Sequence, residues 1–384
     1  MTRNSNQQIN IYTIMKKLLF ICAAVIMAAS CSNGDKYTIR GTVTGDSDKL
    51  VNGTAYLFNR DANNPVRDTV EVVNGKFVFK GSVTTPEPYI IAVDGIPGML
   101  SIFLENADFT ITTDESYSDP VITGGPAQTM MNRYAEESEK LAEKYDLENL
   151  AKKMRSAEAT DAVRDSITGV FEQYQNDVAA VKDALVAEEP VSHFALYILS
   201  QEYYYMDGDS LASLLAPYKA DPAFAANTVL SKLDSFVQKE QALAIGSKAP
   251  DFTLNDPDGN PVTLSEFYKQ NKVTMIDFWA SWCGPCRNFN PTLVKIYKKY
   301  HKLGLGIIGV SLDRDHDAWV KGIKDDKLTW TQVSDLKFWQ SEVGQLYNVN
   351  YIPQNAFVDS EGNIIGRKVA EDEIEALLDE YLKK

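Results

Sequence analysis

The sequence predicts a multidomain chain: an N-terminal β-sandwich, a helical connector and a C-terminal α/β domain. Three observations predict it. Short apolar runs separated by turn residues fill residues 37–125. From 126 to 243 apolar residues recur every three or four positions. After 244 an apolar run, Val273–Ala280, leads directly into a segment of helical spacing, Phe289, Leu293, Ile296, Tyr297 and Tyr300. A buried strand followed by an amphipathic helix is the unit of an α/β sheet.

Ahead of these parts, residues 1–30 read as a leader. Met15-Lys16-Lys17 and the apolar stretch Leu18–Met27 form the basic region and core of a secretory signal, with Met15 as its expected start. The core is too short to span a bilayer, which takes about 20 residues. Ala28-Ala29-Ser30-Cys31 resembles a bacterial lipobox. That resemblance implies that Cys31 is lipidated, becomes the mature N-terminus and anchors the protein to the membrane on the periplasmic side of the cell envelope. The alternative is an ordinary signal with an incidental cysteine, giving a soluble periplasmic protein. Residues 31–36 form a short polar tether, and Cys22 falls inside the leader.

In residues 37–125 the runs Tyr37–Thr44, Thr54–Phe58, Thr69–Val73, Lys76–Val83, Tyr89–Val93, Met99–Leu104 and Phe109–Thr113 read as strands. Asn74-Gly75 between two of them marks a two-residue hairpin turn. Asp94, Glu105 and Asp108 stand singly at strand ends and read as turn or solvent residues. Gly124-Gly125-Pro126 marks the next boundary. The periodic series from Val163 to Leu185 predicts a long helix. Tyr203-Tyr204-Tyr205 reads as core packing at a helix end, with a partner surface as the alternative.

The net charge of −15 over 384 residues argues against nucleic acid as a partner, which needs basic patches. Of four cysteines, Cys22 lies in the leader and Cys31 directly after it; the others, Cys283 and Cys286, stand three apart at the strand-to-helix turn. Such a pair is also half a zinc site, but only His193, His301 and His316 remain as further soft ligands, so no metal is expected. As a purely structural bridge it would close too small a loop to constrain the unfolded chain much. Redox exchange is left. Cys283 at the helix start meets unpaired N–H groups and the helix dipole, which favour a thiolate, so it is the expected nucleophile. Cys286 lies on the same face, one turn in, and is the expected resolving thiol. Gly284 leaves room for a substrate backbone, and Pro285 rigidifies the first turn, where its missing N–H costs nothing. The basic face Lys295, Lys298, Lys299 and Lys302 reads as solvated. Asp313 reads as a turn or cap residue and His316 as a helix-start residue.

The stretch Ile276–Cys286 resembles the thioredoxin active site, and Tyr351-Ile352-Pro353 with the strand Asn355–Val358 resembles the thioredoxin cis-proline loop. The approach Ala249–Leu254, Asp258-Gly259 and Val262–Leu264 resembles the extracytoplasmic thioredoxin-like and peroxiredoxin-like branches. Taken with the leader, the chain resembles the membrane-anchored TlpA/ResA-like thiol-disulfide oxidoreductases whose thioredoxin-like domain follows an uncharacterised β-domain. The resemblance implies a thioredoxin-like fold for 244–384 and no cofactor beyond the redox-active Cys283–Cys286 disulfide. It implies that Asp277 accepts the proton of Cys286; an ion pair of Asp277 with Lys295 or Lys298 is the alternative. It implies a cis Pro353, with Ile352 offering its backbone to substrate and Trp282 lining the groove, while Trp279 belongs to the core. Gln354 departs from the Thr or Ser usual after that proline. Peroxide reduction would need a Thr three residues before the cysteine; Ala280 stands there before Cys283. The expected partners are protein disulfide substrates and a membrane thiol relay that donates electrons, with the protein acting as a reductase. The competing function is an interaction lipoprotein whose N-terminal domains recognise one partner that the redox domain alone serves.

Overall fold

The computed structural model describes residues 36–59, 66–117, 119–156 and 159–383; the leader and Cys31 lie outside the described residues. The chain forms two compact units. One takes in the described residues up to Met206 together with Ser213–Leu233. The other takes in Asp207–Ala212 and Asp234 onward.

The first unit begins with β1 (Tyr37–Thr44), a one-turn helix α1 (Asp48–Val51), β2 (Asn52–Phe58), β3 (Val66–Val73), β4 (Lys76–Gly81), β5 (Glu87–Val93), β6 (Leu100–Leu104), β7 (Asp108–Asp114) and β8 (Val121–Thr123). All eight strands join one sheet, in the order β6-β5-β2-β3-β4-β1-β7-β8. Only β1 and β7 run parallel among them. The core cluster of this sheet holds Ile39, Leu57, Phe79, Leu104 and Ile111, with Leu50 of α1, and no residue from the helices beyond 125. Where two packed sheets were expected, the described strands form one continuous eight-stranded sheet. Asn74 and Gly75 both take positive φ, 51° and 72°, and close the hairpin at the Val73–Lys76 pair. The eighth strand is too short to show a period in sequence.

Six helices follow: α2 (Pro126–Lys144), α3 (Leu147–Arg155), α4 (Asp161–Glu188), α5 (His193–Glu202), α6 (Gly208–Ala220) and α7 (Thr228–Ala242). Pro126 opens α2 behind Gly125, and Thr160 and Ser192 cap α4 and α5 through their side chains. Glu105 is more than a turn residue: its carboxylate accepts the Ala127 N–H at 2.9 Å, at the positive end of α2. Of the three tyrosines in the short 3₁₀ turn after α5, Tyr203 is buried as core packing requires, whereas Tyr205 is 57% exposed, so the core reading holds for the first and not the last.

The second unit holds a seven-stranded sheet, in the order β10-β9-β13-β12-β11-β14-β15. Its elements run β9 (Thr253–Asn255), β10 (Pro261–Thr263), α8 (Leu264–Tyr268), β11 (Val273–Trp279), α9 (Gly284–Tyr300), β12 (Leu305–Ser311), α10 (His316–Asp326), β13 (Thr331–Ser334), α11 (Glu342–Leu346), β14 (Gln354–Asp359), β15 (Ile364–Arg367) and α12 (Ile374–Leu382). Every residue of β11 and β12 is buried, which explains their near-continuous apolar runs. β11, β12 and β13 are parallel, whereas β14 returns antiparallel beside β11.

This unit reaches back past residue 244 to Asp234. Glu240, near the end of α7, is one tie between this helix and the rest of the unit. Its buried carboxylate meets Arg367 at 3.2 Å and Lys368 at 3.0 Å, and accepts from Asn348 at 2.7 Å. Burial pushes this carboxyl up, but Arg367 and Lys368 outweigh it and hold it below the usual carboxylate range. Glu240→Ala should therefore destabilise the protein by about 3–5 kcal/mol, because it strands two largely buried cations. Denaturant unfolding checks this; a loss under about 1 kcal/mol, the value of a surface pair, would show the cluster to be dispensable.

Candidate active site

β11 ends at Trp279, and α9 starts at Gly284 with Cys283 as its N-cap. Cys283 has extended backbone, and its Sγ accepts the Cys286 N–H at 3.2 Å. Pro285 sits in the first turn, where no helical N–H is needed. The two cysteines are joined as a disulfide. Cys283 is 4% exposed and Cys286 1%, so the thiol at the helix start is the less enclosed one. A Cβ on Gly284 would meet nothing within 4 Å, so the glycine leaves an open side beside the sulfurs.

The turn before Cys283 is held from two sides. Asp313, just beyond β12 and almost wholly buried, accepts from the Ser281 N–H at 3.0 Å and the Ser281 hydroxyl at 2.6 Å. Ser311 Oγ donates to the same carboxylate at 2.6 Å. On the other side, Arg287 Nη1 donates to the Ser281 carbonyl at 3.0 Å. The Arg287 guanidinium is itself paired with Asp326, which also accepts from Asn290 at 2.7 Å. Asp313 was expected at a turn or cap. Asp315 is the residue that caps α10, while Asp313 reaches across to the active-site turn. His316 does stand at the start of α10, where it bonds the Pro257 carbonyl at 3.0 Å.

Asp277 lies in the middle of β11, fully buried, and its Oδ2 has no hydrogen-bond partner. Burial alone pushes its carboxyl up to about 7. Lys295 and Lys298 are exposed on α9, so the ion-pair alternative has no support in the structure. Trp279 is core, and its indole N–H donates to Gln332 Oε1 at 2.9 Å.

The Ile352–Pro353 peptide is cis. Gln354, the next residue, pairs with Phe278 in the antiparallel β11–β14 ladder. That register brings Pro353 to the end of β11 from which the cysteine turn departs. Ile352 packs against the core cluster that contains Cys283 and Cys286.

Trp282 is 46% exposed. Its ring stands 5.0 Å from Phe338 and 6.0 Å from Trp339, and its Nε1 donates to the Leu312 carbonyl at 3.3 Å. Arg314 lies 4.0 Å over the Phe338 ring. Sequence reasoning did not single out Phe338, Trp339, Arg287 or Gln332. The side-by-side aromatics at 338–339 were the only available signal.

Residues 245–367 match the AhpC/TSA family, and residues 37–131 match a domain of unknown function, DUF4369. The thiol-disulfide oxidoreductase ResA of Geobacillus kaustophilus is 32% identical over 130 residues, covering 34% of this chain and 72% of that protein. ResA of Bacillus cereus is 29% identical over 149 residues, covering 39% and 83%. Among solved structures, the thioredoxin domain of a thiol-disulfide oxidoreductase from Bacteroides vulgatus is 35% identical, with a TM-score of 0.34, covering 36% of this chain and 99% of that one.

The buried Asp277 makes a pH prediction. Its carboxyl titrates near 7 when folded, against 3.8 ordinarily, so between those values the folded state holds a proton that the unfolded state has lost. Stability from this group is thus present at low pH and falls as pH rises through the window. Asp277→Asn should remove that fall and leave the protein more stable than wild type at pH 8, by up to about 4 kcal/mol. Denaturant unfolding of both proteins at pH 4 and pH 8 checks it. An identical pH dependence in the two would contradict it.

Proposed function

Because the chain belongs to the ResA-like thiol-disulfide oxidoreductases, we propose that it reduces disulfides of protein substrates outside the cytoplasm. The observation that carries this reading is the placement of Cys283 at the N-cap of α9, sulfur toward the helix N–H groups, with Cys286 one turn deeper. In the reduced protein the Cys283 thiolate attacks one substrate sulfur. The substrate S–S bond breaks, a mixed disulfide forms, and the other substrate sulfur leaves as a thiolate. Cys286 then gives its proton to Asp277 and attacks Cys283 Sγ. The mixed disulfide breaks, the second substrate thiolate leaves, and the enzyme ends as the Cys283–Cys286 disulfide. Two electrons have passed from the dithiol to the substrate, and the chemistry needs no added group.

A carboxyl titrating near 7 is suited to accept that proton at neutral pH. Pro353 and the Ile352 backbone serve an extended substrate segment, and Trp282 with Gly284 and Pro285 shapes the groove. The reductase direction is supported by Gly284-Pro285, by the lack of a histidine between the cysteines, and by the negative charge that Asp277 gains. A reductase in an oxidising compartment needs a donor, here a thiol relay in the membrane. The basic region and apolar core before Ala28-Ala29-Ser30-Cys31 support export and lipid anchoring at Cys31.

Cys283→Ser should abolish exchange with a protein disulfide. Cys286→Ser should leave attack intact and accumulate mixed disulfides, visible on non-reducing gels. Trapped species formed by Cys283→Ser and not by Cys286→Ser would reverse the assignment.

A further inference from the structure

Asp277 on β11, Gly309 on β12 and Gln332 on β13 are register-matched neighbours on one face of the sheet. Gly309 has no side chain, and the Gln332 carboxamide occupies the space over it. A Cβ at Gly309 would lie 2.2 Å from Gln332 Oε1 and 2.8 Å from Nε2. Gln332 therefore reaches sideways across β12 toward β11. There its oxygen accepts from Trp279 Nε1. An indole nitrogen only donates, so this contact fixes the amide with Nε2 as the remaining donor. Gln332 Nε2 is buried without a partner, and so is the acceptor Asp277 Oδ2. The two orphaned groups share a face, on the strands either side of a glycine, and neither hydrogen-bonds the other directly. One water between such a donor and acceptor satisfies both.

We propose that Gln332 is a positioning residue for the exchange reaction, supporting the charged form of Asp277 through one water over Gly309. Nε2–H donates to the water oxygen, and the water donates to Oδ2. The proton from Cys286 ends on Asp277, and Gln332 neither gives nor takes one. Other charged groups around Asp277 are engaged elsewhere or exposed. From α9, Arg287 is paired with Asp326 of α10; beyond β12, Asp313 holds Ser281. Lys321 and Asp325 on α10 pair with each other at the surface, Glu266 on α8 is exposed, and Glu375 on α12 pairs with Lys299. On β14, Asp359 lies at the far end, bonded to Asn363. The thiols of Cys283 and Cys286 join them on reduction.

The test is a carbon-13 NMR titration of the Asp277 carboxyl in oxidised full-length protein, wild type against Gln332→Leu. Loss of a hydrogen bond to the charged form should raise the midpoint by about one pH unit. An unchanged midpoint overturns the proposal, whatever the variant does to the melting temperature. Gln332→Met gives the same comparison if the leucine variant does not fold. The inference rests on the proton-acceptor reading of Asp277 only for its kinetic consequence: the midpoint for resolving the mixed disulfide should rise equally. A shifted carboxyl midpoint with an unshifted resolution midpoint keeps the Gln332 contact and rejects the acceptor role.

Discussion

Ser281 is the fixed point of this site: Asp313 holds its N–H and hydroxyl, and Arg287 holds its carbonyl. The chain must leave a fully buried strand and, within four residues, place a sulfur at the start of a helix. Loop backbone in that position is usually the softest part of a fold. Here both polar ends of one residue are tied to side chains that are themselves paired, Asp313 to Ser311 and Arg287 to Asp326. The clamp fixes the turn that carries Cys283 to the start of α9, and under the proposed exchange its reactivity depends on that position.

The same sheet carries an opposing demand. Asp277 is buried where a charge is costly, and burial alone sets its titration. The protein keeps a destabilising carboxyl beneath its redox turn, the kind of local cost that functional sites bear. Under the proposed water bridge, Gly309 and Gln332 soften that cost, because an amide over a bare glycine brings an unused donor to the same face.

Legibility in the sequence followed the range of the interaction. The buried strand, the helix start, the Asn74-Gly75 turn and the cysteine spacing are local, and the structure has them where the residues placed them. The cis peptide before Pro353 was legible through resemblance. What escaped was long-range. Asp313 looks like any acid after a strand until β12 is set beside the β11 turn. Gln332 gains meaning only when three strands are aligned. Glu240 belongs with Arg367 and Lys368, distant in sequence, and is one tie between α7 and the second unit, which reaches back past the position that periodicity marked. The single continuous sheet of the first unit was likewise invisible, because alternation reports which face is buried and not which strands are neighbours.

The proposed reductase direction rests on a Gly-Pro dithiol at a helix start over a buried acid. A glutathione redox titration of the full-length protein tests this most directly. The expected potential lies near thioredoxin's about −270 mV and well below the about −120 mV of the periplasmic oxidant. A value above roughly −170 mV would contradict it and make the protein an oxidase or isomerase, on a scale where 30 mV is about 1.4 kcal/mol.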